Sequence, residues 1–97
     1  MMDTNARFPM TDRIADAARG DGDAAYDLGI CYQTGTAGVA IDLIEAHKWF
    51  NLAAVSGMIA AQTARAEVAS AMTARQIAAA QAAARAWLGS LQHRAAA

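Results

Sequence analysis

The sequence predicts an all-α fold, and three observations carry that expectation. Apolar residues recur at i, i+3, i+4 spacing along most of the chain. Hydrophobic residues make up 56% of it, and many are alanine, which favours helix and lets helices approach closely. The one proline, Pro9, precedes the first helical pattern, so no proline interrupts the helical patterns themselves. At 97 residues the chain makes one domain. Folding at that size removes roughly 60–65% of the unfolded surface, so the core is modest.

The first ten residues, 1–10, are expected to form a flexible N-terminus, with the domain spanning 11–92. Thr11 is placed as the N-cap of a short helix reaching Arg19, with Asp12 favourable in its first turn. Ile14 and Ala18 form its apolar face, and Gly20 ends it. Asp21 and Asp23 supply the cap and acidic first turn of a second helix, Asp23 to Gln33, whose apolar face is Ala24, Ala25, Leu28, Gly29 and Tyr32. Gly29 in a helix interior costs about 1 kcal/mol relative to alanine. Close approach of a neighbouring helix is the expected compensation. Residues 34–40 form a loop in which Gly35 is the C-cap. Asp42 and Glu45 make an acidic capping box for a third helix, Leu43 to Ser56, with Ala46, Trp49, Phe50, Ala53 and Ala54 on one face. Gly57 ends it.

A period then shows. Gly20 and Ala24 recur as Gly57 and Ala61, a shift of 37 residues that suits a helix-pair repeat. The fourth helix, Met58 to Ala71, departs from the pattern, with Arg65 and Ala66 standing where Leu28 and Gly29 stood. Thr73 and Gln76 fit a capping box, and Met72 and Ile77 fit the hydrophobic staple beside it. They open a fifth helix, Ala74 to Gln92. Its residues Ile77, Ala80, Ala84, Trp87, Leu88 and Leu91 share an arc of about 100°, and Arg75 and Arg85 lie off it.

The order Ala24, Leu28, Gly29, Tyr32, then Gly35, Gly38, Val39, Asp42, then Ala46, Trp49, Ala53, Ala54, Gly57 resembles one unit of a Sel1-like repeat, a relative of the tetratricopeptide repeat. The resemblance covers roughly residues 12–88. It implies a tetratricopeptide-like helical-hairpin solenoid of about five antiparallel helices. The repeat would cover about 21–57, a degenerate half-repeat 58–72 and a capping helix 73–92, with 93–97 as a tail. It also implies that Gly29 sits at the contact between the paired helices. Some secreted members carry a cysteine pair in each repeat. This chain has a single cysteine, Cys31, and does not resemble that branch.

Several function classes find no support in the residues. Net charge is −1 and the eight basic residues are scattered, so a phosphate-tracking surface for nucleic acid is not expected. No uncharged run suits a bilayer span, and the N-terminus has no signal-peptide core. A cytoplasmic protein is the expectation. His47 and His93 lack second ligands at metal spacing, and no cofactor is implied. His47, followed by Lys48, reads as part of a solvated helix face, and Cys31 as an inert, partly buried thiol. No catalytic constellation is found, since Asp42 and Glu45 read as caps and Ser56 and Ser70 have no partnered base. Trp49 reads as core, and Trp87 and Leu91 as core before interface.

The resemblance implies a non-enzymatic interaction module that binds another protein in the groove of its helices. The first helix of each pair lines the concave face in such folds. The residues turned away from Leu28, namely Asp27, Ile30, Cys31 and Thr34, are therefore the candidate contacts, Ile30 foremost. The alternative is a structural protein that dimerises through the open end of a short solenoid, since stacked repeats need neighbours to bury their faces.

Overall fold

The computed structural model describes residues 10–96. Five helices are present among them: α1 (Met10–Ala18), α2 (Gly22–Thr34), α3 (Leu43–Val55), α4 (Ile59–Ala69) and α5 (Ala74–Ala96), with no strand. The expected flexible segment mostly lies outside the described residues. Its last member, Met10, instead begins α1 and rests half-buried against the core. Thr11, expected as the N-cap, is inside that helix. The expected tail is likewise corrected, because α5 continues through 93 to Ala96. Nothing in the alanine-rich end breaks a helix.

The helix ends follow local chemistry. Asp21 caps α2, its carboxylate accepting from the amides of Asp23 and Ala24 at 3.0 and 3.2 Å. Gly35 closes α2 in the left-handed region at φ 71°, with its amide donating to the Cys31 carbonyl. The loop then returns, and the Asp42 amide donates to the Tyr32 carbonyl at 2.9 Å. Asp42 caps α3 by accepting from the Glu45 amide at 3.1 Å. The other half of that expected box does not form. The Glu45 carboxylate accepts from Trp49 Nε1 at 3.3 Å and pairs with Lys48 Nζ at 3.1 Å. At α5 the box is reciprocal: the Thr73 amide donates to Gln76 Oε1 at 2.8 Å, and the Gln76 amide donates to Thr73 Oγ1 at 3.1 Å.

Helix α3 is the centre of the molecule and touches α2, α4 and α5, while α1 lies on α2. The α2–α3 contact is the closest. A Cβ on Gly29 would stand 2.5 Å from the Phe50 ring, so only glycine fits against that fully buried side chain. Leu28 is also fully buried, and Tyr26 leans on Phe50 with ring centroids 5.4 Å apart. One core cluster centres on Leu28, Trp49 and Ala53, the other on Ala46, Phe50, Ala64 and Val68. Helix α5 buries Ala80 and Ala84 and lies on α3 rather than on α4, its neighbour in sequence. The shortest extent is 22 Å, two helix diameters at about 10–12 Å each.

Candidate functional site

The four expected contact residues sit on α2 in different settings. Asp27 is half-exposed and its carboxylate pairs with the Arg13 guanidinium of α1. Ile30 is half-buried against the cluster around Phe50 and Val68. Cys31 is a buried free thiol. Thr34 is exposed at the helix end, its hydroxyl donating to the Ile30 carbonyl at 2.7 Å. They are not gathered on one open face. Helical spacing put them opposite Leu28, but a second core cluster occupies part of that side.

A more promising surface lies at the other end of α3. The α1–α2 junction, the C-terminal half of α3 and the later part of α5 enclose a half-open groove of about 140 Å³. Its floor is aromatic. Trp49 and Trp87 meet edge to face, with centroids 4.9 Å apart and planes at 71°. Lys48 Nζ lies 4.4 Å from the Trp49 centroid and 5.9 Å from that of Trp87, steadied by Glu45. Leu52 and Leu91 extend the apolar wall. Val55 and Leu88 stand on it as well, 67% and 39% exposed. Gly22 and Ser56 meet closely on the lining, since a Cβ on Gly22 would fall 2.2 Å from Ser56 Oγ. Trp87, expected as core, thus packs on Trp49 and also faces this groove.

An acidic face adjoins the groove at Asp21. Asp12, Asp16, Asp21, Asp23 and Asp27 line one surface of α1 and α2, five of the chain's nine acidic residues. Asp16 pairs with Arg19 and Asp27 with Arg13, while Asp12 and Asp23 enter no ion pair among the described residues. Sequence reasoning missed this face. The signal was present in the i, i+4 spacing of Asp12 with Asp16 and of Asp23 with Asp27.

His47 corrects the expectation of a solvated face. It is 3% exposed, and its Nδ1 is buried without a hydrogen-bond partner among the described residues. Helix α4 packs on α3. Burial chiefly, and then the charge of Arg65 on α4, push the His47 pKa below the usual imidazole value. Arg65 itself donates to Asn51 Oδ1 at 2.5 Å, which is how a charged side chain is accommodated at the position matching Leu28. The Tyr32 hydroxyl is pushed up, first by burial and then by Glu45, Asp42 and Cys31. No group of three metal-ligating side chains occurs among the described residues, and no helix there is long and apolar enough to cross a membrane. Comparison of the chain with protein-family models, curated proteins and solved structures finds no significant match to any of them.

Proposed function

We propose that this chain is a non-enzymatic protein-interaction module, with the groove between α3 and α5 as its contact surface. The observation that supports this most is an apolar groove floored by two tryptophans and flanked by exposed Val55 and Leu88. Exposed apolar surface of that kind marks contact sites. In this reading α2 and α3 form the one full helical-hairpin unit of a short Sel1-like solenoid, α4 begins a second unit, and α5 caps it. A cytoplasmic setting and a protein partner belong to the same reading. The packing of Ile30 into the second core cluster favours the groove over the α2 face.

The test compares the intact chain with Leu88→Glu and Ile30→Glu as bait in host lysate. A stoichiometric partner is expected with the intact chain and lost with Leu88→Glu, whose melting temperature stays near that of the parent. Capture that survives Leu88→Glu but is lost with a fully folded Ile30→Glu would return the site to α2. A second reading, self-association, is favoured by Val55 and Ile59, 67% and 74% exposed on either side of the Gly57 turn. Light scattering over a concentration series separates the two: a constant monomer mass removes the self-associating reading.

A further inference from the structure

We infer that the groove receives one large apolar side chain of a basic amphipathic helix. This rests on the protein-binding reading and specifies the partner's chemistry. The volume argues for a single anchor. A groove of about 140 Å³ is close to that of an apolar protein cavity known to hold a benzene-sized guest. One aromatic ring or branched aliphatic group is of that size.

The wall chemistry argues that the anchor is apolar. Trp49, Leu52, Trp87 and Leu91 are among the lining residues, and all four are apolar or aromatic. Two polar side chains of the lining, Asp21 and Ser56, already make hydrogen bonds. Asp21 accepts from two amides of α2, and the Ser56 hydroxyl donates to the Ala53 carbonyl at 2.6 Å. A hydrogen-bonding ligand would find few free partners there.

Charge then selects the rest of the partner. Gly20, Asp21 and Gly22 border the groove on the side where the acidic face begins, and Asp21 belongs to both. Among the described residues Arg13 and Arg19 pair with two of the five aspartates there, and Lys48 beside the tryptophans is paired with Glu45. A phosphate-bearing or acidic partner would be repelled, and lysines or arginines one turn from the anchor would be drawn in. The described residues present no strand edge, so an amphipathic helix lying across the mouth of the groove, with one anchor inserted, is the recognition mode that fits.

The experiment titrates the intact chain with a synthetic tryptophan-free helical peptide bearing one phenylalanine anchor among lysines. Both tryptophans of the chain, Trp49 and Trp87, lie in the groove, so indole fluorescence reports occupancy directly. A saturable change is expected. Replacing the lysines by glutamates should weaken binding by about tenfold or more, and the double variant Asp12→Asn/Asp23→Asn by about three- to tenfold. Added salt should weaken binding, and replacing the phenylalanine anchor by alanine should abolish it. Equal binding of the glutamate peptide, an unchanged affinity in the neutralised variant, or no indole response to either peptide would overturn the inference. The protein-binding reading is judged separately, by whether Leu88→Glu loses its captured partner.

Discussion

Helices α2 and α3 and helices α4 and α5 are two stretches of comparable length held together in different ways. In the first, an interior glycine brings α2 against the ring of Phe50, and Leu28, Trp49 and Phe50 fill the contact. In the second, α4 offers Ala61, Ala64 and Val68 to the core and α5 offers Ala80 and Ala84, each toward α3 rather than toward one another. Apart from Val68 and the half-buried Trp87 on Trp49, these are alanines, which bury little area, so the attachments are thinner. A shift of 37 residues sets Leu28 and Gly29 against Arg65 and Ala66, so the two halves differ there. Close helix pairing needs the glycine and its aromatic partner together. Where the second half lacks them, α5 lies on α3, and a groove is left beside Trp87.

The largest test of this contrast is truncation in each half. Leu28→Ala, in the cluster between α2 and α3, should cost about 3–5 kcal/mol, and Val68→Ala about 2 kcal/mol. Urea midpoints with unchanged slope measure both. Similar costs would erase the distinction. Next come the two positions 37 residues apart, Gly29 and Ala66. Gly29→Ala forces a methyl into Phe50 and should destabilise by about 1–2 kcal/mol, the overpacking outweighing the gain in helix propensity. Ala66→Gly, at an exposed site, should lose about 1 kcal/mol from propensity alone. A Gly29→Ala variant more stable than the parent would contradict the close approach.

Thr73→Ala removes one side of the capping box that starts α5 and should cost about 1 kcal/mol. If α5 is thinly attached, the loss should also appear as reduced protection of its first turns. The smallest expected effect concerns pH. His47 is depressed in the folded state, so the unfolded chain binds the proton more readily. Stability from this group is complete above the ordinary imidazole value near 6.5 and falls as pH drops toward the lowered folded value. His47→Gln should flatten the urea midpoint between about pH 7.5 and 5. A parent profile already flat there would remove His47 as a buried, neutral group.

Much of the fold was legible because its causes are local. Asp21, Gly35, Asp42 and the Thr73–Gln76 box act within one turn of chain, and each stands where spacing put it. Gly29 was legible as an interior glycine in need of a reason, and Phe50 is that reason. His47 was not legible, since next to Lys48 it looks solvated, and only the packing of α4 on α3 removes it from water. The groove was hidden for a similar cause: it joins the ends of α1 and α2 to the later parts of α3 and α5, far apart in sequence. The acidic face was within reach of the sequence, through aspartates four apart on two helices.

Amide hydrogen exchange on the intact chain tests the contrast between the halves most directly. The slowest amides should lie in α2 and α3 and exchange only through global unfolding. Those of α4 and of α5 beyond Trp87 should open at lower free energy, as separate units. Uniform protection across all five helices, or the slowest exchange in α5, would contradict the account.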